Sequence, residues 1–111
     1  QLRFHVMKQN GTERPFTGEY DKHFEPGIYN CADCGIALFD SDSKFDSGCG
    51  WPAFSNELEN ANIEQLIDTS HGMRRIEVRC SNCDSHLGHL FHEARGPRYC
   101  INSICLDFQG E

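Results

Sequence analysis

Three things are missing or scarce in this chain of 111 residues: long apolar runs, basic residues and regular helical periodicity. No apolar stretch approaches the roughly 20 residues that a membrane-spanning helix requires, and no segment has the pattern of a signal peptide. Lys and Arg total 10 against 17 Asp and Glu, for a formal net charge of −7, and the basic residues form no long run. These absences argue against a membrane partner and against a nucleic-acid partner, whose binding surfaces usually carry clustered positive charge.

The missing 3.6-residue period leaves β-structure as the main architecture. Apolar residues alternate with polar ones in short runs, as Ile76 and Val78 do. A chain of this length holds one hydrophobic core. We therefore predict a single domain over residues 1–111 that is mostly β, with two small antiparallel sheets. An irregular or short-helical arm over residues 1–27 is expected to pack on this core.

Turn-forming residues separate the predicted strands. Residues 27–39 are predicted to form a strand, a cysteine knuckle and a returning strand, whereas residues 40–54 are predicted to be loop. A hairpin is predicted over residues 63–79, around the turn sequence SHGM. A short strand near residues 87–91 and a last strand region over residues 98–108 complete the predicted sheets.

The cysteine count is seven, an odd number, and the uneven spacing does not fit the disulfide framework of a small secreted protein. Two CxxC pairs each lie at the end of a predicted hairpin. Such turns place two sulfurs close together, and two of them supply the four thiolates of a closed, structural zinc site. A redox dithiol is the alternative, but that motif usually opens a helix in a βαβ unit, which is not predicted here. The predicted zinc ligands are Cys31, Cys34, Cys80 and Cys83.

Three thiols remain outside the predicted metal site. Cys105 lies among aliphatic residues of the last strand region and is expected to be a buried small residue, although strand alternation allows partial exposure. Cys100 shares a predicted strand face with Arg98 and Asn102. Because a nearby guanidinium favours the thiolate form, Cys100 is a candidate nucleophile.

Two further groups lie near these thiols in the sequence. His86 and His89 follow the second CxxC pair. A single histidine is usually a surface or core residue, but two beside a metal turn are candidates for proton transfer near neutral pH. Cys49 lies in a glycine-flanked loop beside Trp51, the only tryptophan. We expect this loop to let Cys49 approach another thiol, and Trp51 to be either a core residue or the wall of a binding pocket.

Taken together, five stretches resemble the methionine-R-sulfoxide reductases of the MsrB family, in family order and over nearly the whole chain. They are NGTERPFTGEY, CADCG, LFDSDSKFDSGCGWPAF, RCSNCDSHLGHLF and RYCINS. The resemblance implies a β-tent-like fold of two antiparallel sheets, with one structural zinc ion on the four paired cysteines. It also implies reduction of methionine R-sulfoxide, free or in proteins, as repair of oxidative damage.

The resemblance assigns a role to each candidate residue. Cys100 would be the nucleophile and form a sulfenic acid, Cys49 would resolve it as a disulfide, and thioredoxin would restore both thiols. Trp51 would pack against the methyl group of the substrate. The implied catalytic residues are Cys100, Cys49, His89, His86, Arg98 and Asn102, and the implied substrate-binding residues are Trp51 and Phe91.

Two departures from the family pattern bear on these roles. The link from His89 to Cys100 looks short, so that only Glu93 is a candidate for the acidic residue usual in that loop. Cys105 replaces the serine or other small residue expected there and is an alternative resolving thiol.

Two other functions remain open from the residues alone. A non-catalytic zinc β-tent module would bind a protein or small ligand without needing a thiol at Cys100. A cysteine hydrolase would use Cys100 and one histidine, but would have no use for Cys49. Reduced thiols and zinc favour the cytoplasm, and we expect a monomer.

Overall fold

The computed structural model describes residues 2–59 and 61–111. Within these residues the chain forms one α-helix, α1 (Leu2–Gln9), and nine short strands. The strands are β1 (Gly27–Cys31), β2 (Ala37–Asp40), β3 (Lys44–Phe45), β4 (Ala53–Phe54), β5 (Ile63–Asp68), β6 (Arg75–Cys80), β7 (Ser85–Glu93), β8 (Gly96–Ile101) and β9 (Leu106–Gly110). Short 3₁₀ turns lie at Ser41–Ser43, Ser70–Gly72 and Ser103–Cys105.

The strands form two antiparallel sheets. The smaller has the order β2-β1-β9, and the larger has the order β3-β4-β8-β7-β6-β5. The predicted fold class, mostly β with two antiparallel sheets and a short helix in the N-terminal arm, is therefore confirmed. The predicted hairpin is β5 and β6, in which Ile63 pairs with Cys80 and Asp68 pairs with Arg75.

The last strand region is not one strand, contrary to the prediction for residues 98–108. The 3₁₀ turn Ser103–Cys105 separates β8, in the larger sheet, from β9, in the smaller one. The physical reason is a side chain from the arm. The buried carboxylate of Glu13 accepts hydrogen bonds from the backbone N–H of Ser103 and of Ile104, at 2.9 and 3.0 Å. These donors are therefore not available to a neighbouring strand, and the chain crosses from one sheet to the other.

The prediction of loop for residues 40–54 is also wrong in part. β3 and β4, of two residues each, lie within it, and β4 pairs with β8 so that Ala53 lies opposite Cys100. Strands this short contain no repeat of the alternating pattern by which sequence reveals a strand.

The core lies between the two sheets and is rich in aromatic residues. The rings of Phe39, from the smaller sheet, and Phe54, from the larger, stack with centroids 4.3 Å apart, and Tyr29 meets Phe54 edge-on at 5.1 Å. Val6 and Met7 of α1 are buried in the same cluster, which holds the arm on the core. Within residues 2–59 and 61–111, no helix has the length and apolar character needed to cross a membrane.

Candidate active site and metal centre

A cavity of ≈ 230 Å³ opens beside β8 and β7, the central strands of the larger sheet. The strand register sets its floor, because Cys100 lies directly between Ala53 of β4 and His89 of β7. Seven of the eight predicted catalytic and substrate-binding residues line it, and the exception is His86. The lining residues are Thr12, Cys49, Trp51, Arg75, Gly88, His89, Phe91, Arg98, Cys100 and Asn102.

The two cavity thiols are neighbours. The Sγ atoms of Cys49 and Cys100 are 3.4 Å apart, within hydrogen-bonding distance for sulfur. The hydroxyl of Ser47 donates a second hydrogen bond to Cys49 Sγ at 2.9 Å. A sulfenic acid on either sulfur would therefore lie next to a thiol.

The hydrogen bond between the thiols controls where their negative charge resides. Donation by Cys100, helped by the Ser47 hydroxyl and the charge of Arg98, lowers the pKa of Cys49 to about 5. The same hydrogen bond, together with burial, raises the pKa of Cys100 well above its ordinary range, although Arg98 acts in the opposite direction. In this arrangement Cys49 is the more acidic of the two thiols.

Arg98 is held in place by the strand that pairs with its own. Its Nε and one terminal nitrogen each lie 3.0 Å from Glu93 Oε2. Its guanidinium also lies over the ring of Phe91, 4.5 Å from the centroid. Glu93, the only acidic candidate in the short His89–Cys100 link, is therefore the ion-pair partner of the arginine in this cavity.

The N-terminal arm supports the loop that carries Cys49. The indole Nε1 of Trp51 donates to the backbone carbonyl of Glu13 at 3.1 Å, and the backbone N–H of Phe16 donates to Gly50 at 2.7 Å. Gly50 has a φ of 94°, and a Cβ there would meet Pro15. The tryptophan is thus part of the cavity wall, and its orientation depends on the arm.

His89 has a carboxylate partner that sequence reasoning missed. Its Nε2 lies 2.7 Å from Asp68 Oδ2, and Arg75 approaches the same oxygen at 3.4 Å. The hydrogen bond with His89, followed by those from Ser70, holds the pKa of Asp68 well below its usual range. Asp68 is therefore an anion that fixes the orientation of the imidazole. Since Nε2 faces Asp68, Nδ1 is the ring nitrogen that remains for another partner.

His86 lies outside the catalytic cavity. Its side chain is buried, its Nδ1 lies 2.7 Å from Glu77 Oε2, and its Nε2 has no hydrogen-bond partner among the described residues. Burial lowers its pKa despite the nearby carboxylate. It lines a neighbouring polar cavity, and its ring meets that of His89 edge-on with centroids 5.6 Å apart. His86 therefore contacts His89 but does not line the cavity that holds Cys100.

Asn102 and Cys105 are both committed to backbone contacts. The buried amide of Asn102 donates to the Leu87 carbonyl at 2.9 Å and accepts from the backbone N–H of Glu13 at 3.0 Å. Cys105 is fully buried and donates to the His86 carbonyl at 3.3 Å. The expectation that Cys105 is buried is confirmed, and its partial exposure is excluded.

The four paired cysteines meet where the two sheets join. Their sulfurs all lie within 4.8 Å of one another. Cys31 and Cys83 are 3.7 Å apart, and Cys34 and Cys80 are 3.6 Å apart. A tetrahedron of sulfurs at the usual Zn–S bond length of about 2.3 Å has edges of about 3.8 Å, so the arrangement fits a tetrahedral thiolate-bound metal ion.

Sequence reasoning missed the polar residues that support the site. Asp68 and Arg75 pair at the turn of the predicted β5–β6 hairpin, so extending the register of that hairpin would have brought them together. No comparable signal exists for Glu13, because its partners at residues 103 and 104 lie about 90 positions away.

Known proteins are similar to this chain over nearly its whole length. A family model described as the SelR domain matches residues 1–110. A relative from Chromohalobacter salexigens, named peptide methionine sulfoxide reductase MsrB, is 56% identical over 110 residues, covering 96% of this chain and 83% of that protein. A Caenorhabditis elegans protein, named probable methionine-R-sulfoxide reductase B, is 53% identical over 111 residues, covering 96% of this chain and 73% of that protein.

A solved structure, the Yippee-like domain of Mis18, is similar with a TM-score of 0.63 and 16% identity, covering 78% of this chain and 98% of that one. At this identity the likeness concerns the fold alone. The SelR match spans nearly all of the chain, and the two relatives share more than half of the aligned residues with it. The chain belongs to the SelR-domain family, that of the MsrB methionine-R-sulfoxide reductases.

Proposed function

We propose that this chain is an oxidoreductase that reduces the R epimer of methionine sulfoxide, free or within proteins, to methionine. The observation that carries the proposal is the pair of cavity thiols, Cys49 and Cys100, whose sulfurs lie 3.4 Å apart beside His89. The names of the MsrB relatives support the same reaction.

In the first step Cys100 attacks the sulfoxide sulfur. The proton shared by the two thiols passes to Cys49, so that the negative charge reaches Cys100 with Arg98 beside it. A bond forms between Cys100 Sγ and the sulfoxide sulfur, and His89 supplies the proton that the oxygen takes up. The hydroxyl group then passes to Cys100 Sγ, as the S–O bond of the substrate and the new S–S bond both break and their electron pair stays on the methionine sulfur. Methionine leaves, and Cys100 is oxidised by two electrons to the sulfenic acid.

In the second step Cys49 attacks the sulfur of the Cys100 sulfenic acid. The hydroxyl group leaves with the proton of Cys49 as water, and a disulfide joins the two residues. A dithiol of the thioredoxin type then reduces this disulfide by thiol–disulfide exchange. Cys105 is a poor substitute for Cys49, because it is fully buried and does not line the cavity.

The substrate sulfoxide has three distinct neighbours in this cavity. Trp51 receives the methyl group, His89 faces the oxygen, and Cys100 approaches the sulfur. A chiral sulfur satisfies all three contacts in one configuration only, and the family assigns that configuration as R. Asn102 acts by holding β7 and the arm together, since both ends of its amide are occupied.

The metal is proposed to be zinc, held by Cys31, Cys34, Cys80 and Cys83 in a closed four-thiolate shell. Zinc in such a shell supplies structural stability and no open coordination position for chemistry. A monomeric state and a cytoplasmic location remain predictions.

The test is reduction of a racemic blocked methionine sulfoxide with dithiothreitol, with the two epimers separated by chiral chromatography. We expect loss of the R epimer only, and no loss in Cys100→Ser. Cys49→Ser should retain one turnover and lose turnover driven by thioredoxin. Cys105→Ser is the matched control, because its hydroxyl keeps a donor toward the His86 carbonyl, and it should turn over normally.

Two results would contradict this proposal. If folded, metal-loaded protein reduces neither epimer, a non-catalytic binding module becomes the better assignment. If Cys105→Ser loses thioredoxin-driven turnover while Cys49→Ser retains it, the resolving thiol is Cys105.

A further inference from the structure

A shallow groove runs from the catalytic cavity along the N-terminal arm. It has a volume of ≈ 620 Å³ and shares two lining residues, Thr12 and Trp51, with the cavity that holds Cys100. Away from the cavity, the groove is bounded by Leu2, Pro15 and Thr17. A substrate side chain in the cavity therefore has a surface beside it on which the adjoining backbone can lie.

The groove carries one accessible charge. Arg14 is exposed and lines the groove, and no carboxylate in the described part of the chain lies within ion-pairing distance of it. The other charged lining residue, Glu13, is buried, and both of its carboxylate oxygens accept backbone hydrogen bonds. The groove is thus positive at its surface, in a protein whose formal net charge is −7.

We propose that this groove binds the peptide backbone beside an oxidised methionine, and that Arg14 favours substrates with an acidic residue there. The proposal rests on the proposed function, because it assumes that methionine sulfoxide occupies the adjoining cavity. Continuity through Thr12 and Trp51 supports a segment of the same substrate as the occupant. The unpaired guanidinium supplies the preference for Asp or Glu over Lys.

Such a groove would raise the affinity for a protein-bound substrate more than the affinity for free methionine sulfoxide. Free methionine sulfoxide fills the cavity alone, whereas a peptide also buries the apolar surface of Leu2 and Pro15. Leu2 is 50% exposed, so this surface is available for burial. The groove would change substrate affinity and not the rate of the chemical step, since it does not touch the reacting sulfur.

The test uses blocked peptides in which methionine sulfoxide is flanked, on one side or the other, by two Glu, two Gln or two Lys residues. Dithiothreitol serves as reductant throughout, so that docking of a protein reductant does not affect the measured rates. We expect kcat/KM for the better Glu peptide to exceed that for its Gln counterpart by about two- to fivefold, as for a solvent-exposed ion pair. The Lys peptide should be poorer than both, and the differences should appear in KM and shrink at high salt.

The variant Arg14→Ala should abolish the preference for Glu over Gln while leaving kcat/KM for blocked free methionine sulfoxide unchanged. Arg74→Ala is the matched control, because Arg74 is also exposed and has no described ion-pair partner but does not line the groove. This control should retain the full preference.

Equal kcat/KM for the Glu and Gln peptides, or a preference that survives in Arg14→Ala, would overturn the proposal. If Arg14→Ala lowers only thioredoxin-driven turnover, the groove receives the reductant, and the peptide assignment is again wrong. Failure of the proposed function is distinct from these outcomes, since the free substrate would then not be reduced either.

Discussion

At the scale of single residues, the short distance between Cys49 and Cys100 has a consequence for their chemistry. Two thiols at 3.4 Å cannot both be charged without strong repulsion, so loss of one proton makes loss of the second harder. Cys49, whose pKa is the lower of the two, loses its proton first. The resting protein is therefore expected to be alkylated first at its resolving thiol.

The rate of alkylation of Cys49 by iodoacetamide should rise with pH around a midpoint near 5, as its lowered pKa requires. An ordinary thiol has its midpoint near 8.5. The midpoint is lower than for an ordinary thiol because a donor that stabilises the thiolate keeps it deprotonated at lower pH. Peptide mapping by mass spectrometry at a series of pH values measures the rate at each cysteine.

Two substitutions separate the causes of this acidity. Cys100→Ala removes the donor and should raise the midpoint of Cys49 by about one pH unit or more, whereas Cys100→Ser keeps a hydroxyl donor and should raise it less. A wild-type midpoint near that of a free thiol would contradict the assignment of the charge to Cys49.

Asp68 is expected to act through His89. Asp68→Asn should lower kcat by about tenfold to a hundredfold with little change in KM, because the imidazole loses the carboxylate that orients it.

Asp42→Asn provides the comparison for this variant, because Asp42 is exposed on the 3₁₀ turn Ser41–Ser43, and it should leave both parameters unchanged. An unchanged kcat with a lowered midpoint of thermal unfolding would mean that Asp68 matters for structure only.

The residues that sequence reasoning placed correctly are those whose neighbours follow from alternation. Arg98 and Cys100 share a strand face, and both line the cavity. His86 was expected beside the substrate. A register shift between Val78 and Arg79 compensates its odd separation from His89, so the two histidines lie on one face of β7, opposite Arg79 and Glu77. His89 lines both cavities, whereas His86 lines only the polar one. A β-bulge of this kind leaves no mark in hydrophobic periodicity.

At the scale of elements, β8 packs tightly against β7 at Gly88. This residue pairs with Ile101, and a Cβ added to it would meet the backbone carbonyl of Cys100. Gly88→Ala should destabilise the fold by about 1–3 kcal/mol, as overpacking typically does, and should also lower kcat by displacing Cys100. Urea unfolding and steady-state kinetics measure the two effects.

Gly110→Ala is the control for this substitution, because a Cβ at that position of β9 meets only Phe108 at an ordinary 3.5 Å. It should change stability by less than about 0.5 kcal/mol, as surface substitutions usually do. If Gly88→Ala has the kinetics of the wild type, the close packing of β7 against β8 does not position Cys100.

Elements defined by local pattern could be predicted, and those defined by distant partners could not. The SHGM turn and the alternation around Ile76 gave the β5–β6 hairpin. The division between β8 and β9 depends on Glu13, whose carboxylate comes from the far end of the chain. β4 exists because it pairs with β8, not because its two residues form a strand alone.

At the scale of the whole molecule, the four-cysteine cluster joins the two sheets. Cys31 ends β1 of the smaller sheet, and Cys80 ends β6 of the larger one. Removal of the metal should unfold the chain, because metal binding at such sites is coupled to folding. Circular dichroism and metal content, followed during treatment with a strong chelator, measure this loss together.

Cys83→Ser should lower the midpoint of thermal unfolding and the bound metal in parallel. Cys105→Ser should keep one metal ion per chain, because Cys105 is not among the four clustered sulfurs. An unchanged circular dichroism spectrum in metal-free protein would contradict a folding role for the metal.

The two-sheet architecture and the clustering of the four paired cysteines could be predicted because both depend on motifs that are local in sequence. Their packing could not, since the stacking of Phe39 on Phe54 depends on how the sheets face each other. That residues 1–111 constitute a single domain stays a prediction.

The order of strands in the larger sheet has a consequence for protein synthesis. β8 lies between β4 and β7 but follows every other strand of that sheet along the chain. Because synthesis proceeds from the N-terminus, Cys49 and all four metal ligands leave the ribosome before β8 can insert. Until then, Cys49 lacks the donor that makes it acidic, so a nascent chain carries a thiol of ordinary reactivity.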